Sequence, residues 1–486
     1  MTVRLQPALL ANLPAAVARP AFDRSGLQRG IVHLGLGAFA RAHLAVFNDD
    51  ALDALDAAGA GPGARWGITG VSLRQPDTRD ALLPQQGLYT LALRDAGGER
   101  LRVIGSVLDV LVAPEDPQAA IERLAHADTR IVSLTITEKG YLDDAPGSAM
   151  AVVVQALALR HARGLCPITL LSLDNLPANG QVLRARVLDM AASQASPAAL
   201  DWIAMHCTFP CSMVDRIVPR TSDADRAQIS AVLGLHDAWP VVAEPFIDWV
   251  LEDRFAAGRP DWPGVRYVAN QHEVEAWERL KLRMVNGAHS ALAYLSVSAG
   301  WATVDVAMAQ PALHGFLDAL LREEVEPTLI GLRVPADYRE RLLRRFSNPA
   351  LAHRCAQIAM DGSQKVPQRW LATLRDRLAA GAPINHLALA VAAWLHFLRG
   401  HDEADERYAI DDPLAAALQA LHGDGEALHD ARARAEHFTR FAPVFGDLAS
   451  EPRLVAALAP ALQSLRERGV AATLSPFDPH STANHP

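Results

Sequence analysis

The chain has 486 residues, half of them hydrophobic and 21% charged, with a formal net charge of −9. That length exceeds what one compact core organises, so two domains are expected. An acidic balance without any basic block excludes the electrostatic footprint of a nucleic-acid or anionic-membrane binder. Four cysteines do not make a disulfide framework and point to a reducing, cytoplasmic setting. No apolar run reaches the roughly 20 residues that a spanning helix needs.

The stretch from Pro7 to Ala18 is apolar and ends in Ala-Val-Ala, which imitates a signal-peptide cleavage site. Two prolines interrupt it and its basic flank is thin, so it reads as an arm of the mature first domain. Gly30 to Gly35 is a strand, followed by a helix over about 39–58, a Gly/Pro-rich loop at Gly59–Gly63 and a second strand over 66–73. Residues 101–112 read as strands with a turn, 117–127 as a helix, 130–136 as a buried strand, 150–163 as a helix and 167–173 as a strand. This alternation predicts a mostly parallel sheet with helices on its faces. After about Trp277 the period changes to helical: 281–299, 311–324, 338–346, 351–360, 369–379 and 384–398. The expected fold class is therefore α/β, with a Rossmann-like domain over 1–276 and a mainly α-helical substrate-binding domain over 277–486. A polar tail follows Ser475.

Gly35-Leu36-Gly37-Ala38-Phe39-Ala40 ends the first strand and opens a helix. It fits G-x-G-x-x-A, in which the first glycine makes the tight turn and the second lets the backbone approach a pyrophosphate at a helix N-terminus. The acid expected near the end of the second strand is Asp77, placed to accept ribose hydroxyls and repel a 2′-phosphate. Arg74 pulls the other way, toward NADP; the reading is NAD rather than NADP.

The segment Glu278-Arg-Leu-Lys281-Leu-Arg-Met-Val-Asn286-Gly-Ala-His289 carries the chemistry. On a helix turning about 100° per residue, with Lys281 at zero, Asn286 falls at about 140°, His289 at about 80° and Glu278 at about 60°. A lysine beside a histidine and an amide can take an alcohol proton as hydride leaves, while Glu278 relays it to water. The polar face of an amphipathic surface helix has the same pattern. Asn175 follows a strand at the sheet edge where such folds place ligands; an Asx turn at Asp174-Asn175-Leu-Pro177 explains it equally well. His206, Cys207 and Cys211 lack the second pair that a zinc site needs, and Cys166 and Cys355 read as core thiols, so no metal is expected. No G-x-S-x-G or Walker pattern is present.

With these residues in place the sequence resembles the mannitol dehydrogenase family, the long-chain polyol dehydrogenases, from about Gly30 to Arg468. The matching segments are His33–Phe39 with Arg41-Ala-His43, Ile131–Tyr141, Phe209–Ile217, Glu244-Pro-Phe with Gly258–Trp262, and the lysine helix in full spacing. The resemblance implies NAD(P), no metal, and Lys281 as general base. It implies Asn175 and Asn286 as the oxyanion pair, His289 as a substrate-orienting residue and Glu278 as the proton relay. Thr137 and Glu138, in a matching segment, join Gly35, Leu36, Gly37, Ala38, Phe39 and Asp77 as cofactor-binding residues. Asp215 and Lys365 match substrate positions. The family usually carries His where Ala40 stands, and the segment after Tyr141 is short.

The substrate is decided around 348–369, which looks like the fructuronate reductase branch. Mannitol dehydrogenases typically carry arginine where Gln357 stands; here Arg354 sits three residues earlier, on the same face of a helix. His353 and Arg354, with Gln357 and Lys365, are the candidate carboxylate site, Arg354 supplying a bidentate fork. The expected reaction interconverts D-fructuronate and D-mannonate. The alternatives are a mannitol 2-dehydrogenase or arabinitol-type polyol dehydrogenase, and a non-catalytic NAD-binding homologue. The expected partner is a small sugar acid or polyol, and the expected state a monomer or small homo-oligomer.

Overall fold

The structure, a computed structural model, describes residues 3–59, 65–332, 334–350, 352–426, 428–449 and 451–480. Most of the loop expected at Gly59–Gly63 and the end of the polar tail lie outside the described residues. The chain divides into two compact units, Met1–Glu275 and Ala276–Pro486.

The strands of the first unit are β1 (Gln28–Leu34), β2 (Trp66–Ser72), β3 (Tyr89–Asp95), β4 (Gly98–Ile104), β5 (Val107–Val112), β6 (Ile131–Leu134), β7 (Thr169–Ser172), β8 (Ser212–Asp215), β9 (Val241–Ala243), β10 (Asp248–Glu252) and β11 (Arg266–Val268). The central sheet runs β5-β2-β1-β6-β7, all parallel. This is the doubly wound order, with its reversal between β1 and β6. Side chains alternate across it: Val32, Leu34, Val132 and Leu134 pack on one face with the 117–125, 149–162 and 179–194 helices. Ile31, Ile68 and Ile131 pack on the other with Phe47 and Trp249. Both faces are covered, which is why these strands read as continuous apolar runs.

The helix expected over 39–58 is two helices, Ala38–Ala42 and Leu44–Ala57, broken at His43 (φ −123°, ψ −86°). Strand β3 was not expected; it pairs with β4 and β9 in a second sheet, and β8, β10 and β11 form a third. These short strands come from distant segments, and local periodicity does not register them. Leu5, Leu13 and Val17 are buried with Leu88 and Val242, so the N-terminal arm is part of this core.

The second unit carries no strand among its described residues. Its core joins the Gly287–Ser298, Asn385–Phe397 and Pro452–Leu474 helices through Tyr294, Trp394 and Leu458. Among the described residues three helices contain π turns, at Lys281–Asn286, Leu320–Val325 and Pro367–Leu371. The helix expected over 351–360 is reduced to Cys355–Ile358.

Candidate active site

The carboxyl ends of β1 and β6 flank the reversal in strand order, and there the structure opens a cavity of about 370 Å³. Gly35, Leu36, Gly37, Thr135, Ile136 and Thr137 form one side; Ser72 to Gln75 and Ser148 close it. Gly35 adopts φ +84°, and a Cβ there would lie 2.2 Å from the Thr135 carbonyl oxygen, so no other residue fits. A Cβ on Gly37 would make only an ordinary contact at 3.8 Å. The protein itself does not demand glycine at 37. The exposed backbone facing the cavity does, if a pyrophosphate is to come close. This cradle at a parallel-sheet switch point fits a dinucleotide. Ala38 and Phe39 begin the following helix and Phe39 stacks on His43, while Ala40 is buried in the core. Asp77 is exposed at the start of the Asp77–Leu82 helix and is not in the cavity wall; Arg74, Gln75 and Thr78 are. Glu138 is exposed on the short Thr137–Tyr141 helix. The short segment after Tyr141 contributes Asp143 and Gly147 to the cavity.

Sequence reading missed two residues that shape this cradle. His33 is fully buried, with Nδ1 at 2.8 Å from Ser133 Oγ and Nε2 at 2.9 Å from Thr135 Oγ1. Thr135 Oγ1 in turn donates to the Gly35 carbonyl, so His33 donates from Nε2 and is neutral. Burial pushes its pKa down to about 4. A polar residue inside an apolar strand was the available signal. Asp174 is the second. Its carboxylate accepts from the Ile136 and Thr137 backbone N–H groups and from the Tyr141 hydroxyl. These bonds hold Thr137 at φ +62°. Burial is the largest influence on Asp174 and raises its pKa. The Asx-turn reading therefore fails: the Asp174 side chain reaches across to the loop after β6, and the Leu176 N–H bonds the Asp174 backbone carbonyl instead. Asn175 is left exposed just past the carboxyl end of β7. Asp215 is the buried last residue of β8.

In the second unit, Lys281 and Asn286 lie at the two ends of a π turn inserted between the Gln271–Leu280 and Gly287–Ser298 helices. Its wide bond runs from the Gly287 N–H to the Leu282 carbonyl, five residues back. Each residue of a π turn advances by less than 100°, so the angles expected for a uniform α-helix do not hold between Lys281 and His289. Glu278, half-buried, is in the α-helical stretch before the turn. Lys281 is buried at 8% exposure, and Asn286 and His289 are half-buried.

His289 stacks on Phe346 at 4.8 Å and meets His353 edge-on at 5.5 Å. The Nε2 of His289 and the Nδ1 of His353 are buried and carry no hydrogen bond. Burial pushes the His289 pKa well down, and the neighbours that depress it further are His353, Arg369, Arg345 and Lys365. Lys365 donates to the Ile358 and Met360 carbonyls at 3.2 and 2.6 Å; burial, then Arg369, pushes its pKa down to about 8. Arg354 and Gln357 do not share a helical face. Arg354 is extended (φ −71°, ψ 126°) ahead of the helix, because its segment pairs with 302–304: Cys355 N–H bonds Ala302 O and Val304 N–H bonds His353 O. Arg354 and Gln357 are both exposed, so no buried guanidinium stands there. Among the described residues, no three His, Cys, Asp or Glu side chains gather to hold a metal ion.

The first unit holds a cradle that fits a dinucleotide, and the second a buried lysine on a helical run that also carries an amide and an imidazole. Residues 29–264 match the mannitol dehydrogenase Rossmann domain and residues 273–466 the mannitol dehydrogenase C-terminal domain. The chain is 39% identical to the mannitol 2-dehydrogenase of Phaeosphaeria nodorum, over 98% of this chain and 86% of that one. It is also 39% identical to the D-mannonate oxidoreductase of Escherichia coli K12, over 94% and 97%. Among solved structures it is similar to Pseudomonas fluorescens mannitol 2-dehydrogenase in ternary complex with NAD and D-mannitol, with a TM-score of 0.84 and 36% identity over 98% of this chain and 99% of that one. The chain belongs to the mannitol dehydrogenase family.

Proposed function

We propose that this NAD-dependent dehydrogenase of the mannitol dehydrogenase family interconverts a ketone and a secondary alcohol on a linear sugar acid, reducing D-fructuronate to D-mannonate. The observation that supports a carboxylate-bearing substrate is the positive charge around His289, on which Arg369, Arg345 and Lys365 all bear. A carboxylate on the substrate adds opposite charge beside this cluster, which a neutral polyol does not; a charge-assisted hydrogen bond is worth roughly 1.5–3 kcal/mol. The carboxylate partner is then Lys365 rather than Arg354, which is exposed.

The cofactor, held over Gly35 to Gly37, supplies the hydride. Lys281 gives its ammonium proton to the carbonyl oxygen as that oxygen becomes an alkoxide, and takes the proton back in the oxidative direction. Asn175 and Asn286 are the proposed oxyanion pair, amide N–H groups suited to stabilising the developing charge. Glu278 exchanges the lysine proton with water. His289, held neutral by burial, donates one hydrogen bond and accepts another, which suits it to orienting a substrate hydroxyl.

The polyol reading has its own support: with Arg354 outside the helix, the arginine fork expected for the acid branch is missing from the cluster. The test compares kcat/KM for NADH-dependent reduction of fructuronate and of fructose. A preference of tenfold or more for fructuronate is expected; a preference for fructose makes the chain a mannitol 2-dehydrogenase.

A further inference from the structure

A π turn widens a helix and displaces carbonyls from their usual partners. Here the two carbonyls at the junction of the π turn with the Gly287–Ser298 helix accept from a separate element. The Asn286 carbonyl accepts from Arg369 Nη1 at 3.1 Å, and the Gly287 carbonyl accepts from Trp370 Nε1 at 3.1 Å. The same Arg369 nitrogen also donates to Ser290 Oγ at 2.6 Å, one turn further on. Arg369 and Trp370 are themselves on a π turn, Pro367–Leu371, inside the continuous helical run from Gly362 to Ala379. Its cause is legible: Pro367 has no N–H to close an α turn, so the helix widens there. Trp370 is almost fully buried at 1% exposure, which fixes its indole donor.

We infer that Arg369 and Trp370 are positioning residues that lock the Lys281–Asn286 π turn in its wide form, so that both ends of that turn face the substrate together. The argument is geometric. These two bonds, with the one to Ser290, tie the junction of the π turn and the following helix to the Pro367–Leu371 turn. Tightening to an α turn would rotate Lys281 relative to Asn286 and His289 and draw the two carbonyls away from these donors. The proton donor and the oxyanion amide then no longer converge on one oxygen. The guanidinium is depressed to about 10 by burial and so stays charged at neutral pH. Its charge adds to the cluster that keeps His289 neutral.

This rests on the reading that Lys281 transfers the proton, so the experiment carries Lys281→Ala as a reference. Arg369→Met, Arg369→Lys and Trp370→Phe are assayed with NADH and whichever ketose or keto-acid the wild type reduces. NADH affinity is followed by fluorescence titration, and kcat across pH. Arg369→Met should lower kcat at least thirtyfold with KM changed less than threefold. Trp370→Phe, which keeps the ring and removes one donor, should lower it about fivefold, and Arg369→Lys should recover part of the loss. The pH at which kcat reaches half its maximum should move in both donor-lacking variants, a readout that loss of packing alone does not shift. If Arg369→Met does not fold, Trp370→Phe decides alone. Wild-type kcat and pH profile in Trp370→Phe, with only thermal stability reduced, overturns the brace. Turnover retained in Lys281→Ala overturns the catalytic reading beneath it instead.

Discussion

Replacing Asp174 by alanine tests whether the cofactor cradle is held by one buried carboxylate. Its oxygens accept from Ile136 N–H at 3.0 Å, Thr137 N–H at 2.8 Å and Tyr141 Oη–H at 2.9 Å. Tyr141 retains Ser172 Oγ as a partner, so the substitution orphans the two backbone donors. Each costs about 1–3 kcal/mol when buried, and some water enters the space left behind, so the net loss is about 3 kcal/mol. The effect is local. Thr137 holds φ +62°, a conformation costing about 1–3 kcal/mol that persists only while its surroundings impose it. Freed of the carboxylate, the Thr135–Thr137 wall of the cavity relaxes, and NADH should bind at least tenfold more weakly, since about 1.4 kcal/mol is one decade in Kd. Asp174→Asn keeps one acceptor and should fall between. The assay is NADH fluorescence titration, with circular dichroism to confirm that the sheet is intact. An NADH Kd within twofold of wild type in Asp174→Ala would refute the argument.

Three further outcomes are expected. Lys281→Ala should lower turnover by on the order of 10²–10⁴-fold while NADH affinity stays within threefold; retention of more than a tenth of wild-type kcat contradicts its role. His33 has its pKa depressed from 6.5 to about 4, so its neutral form is favoured on folding. Its stabilisation is complete above about pH 6.5 and is lost as pH falls toward 4, by about 3 kcal/mol at about 1.36 kcal/mol per pKa unit. Urea unfolding of the first unit's signal should therefore depend less steeply on pH between 6.5 and 4.5 in His33→Gln, and identical slopes rule this out. Glu324, 1% exposed, accepts from the His386 and Leu387 N–H groups at the start of the Asn385–Phe397 helix. Glu324→Ala leaves those two donors buried and should cost about 2–4 kcal/mol, read as a lower Tm by calorimetry; a change equivalent to less than about 1 kcal/mol counts against it.

The sequence by itself determined the parallel sheet, the glycine turn after β1 and the helical character of everything after Trp277. Each depends on residues adjacent in the chain: apolar runs of strand length, a glycine where φ is positive, a helical period. The nearness of Lys281, Asn286 and His289 is local too, since the three fall within nine consecutive positions, about two helical turns. What the sequence did not determine was everything that depends on a partner far along the chain. β3 takes its place from β4 and β9, and Asp174 from the loop after β6. Arg354 is extended, not helical, because residues 302–304 offer its segment a β bridge. Helical periodicity is a weak prior that such pairing overrides. The π turn under Lys281 is of the same kind. No local rule marks Lys281–Asn286 as wide; Arg369 and Trp370, more than eighty residues away, donate to the carbonyls at its end. Hydrogen-bond satisfaction in a buried core is a property of the whole fold, and only the tertiary structure decides it.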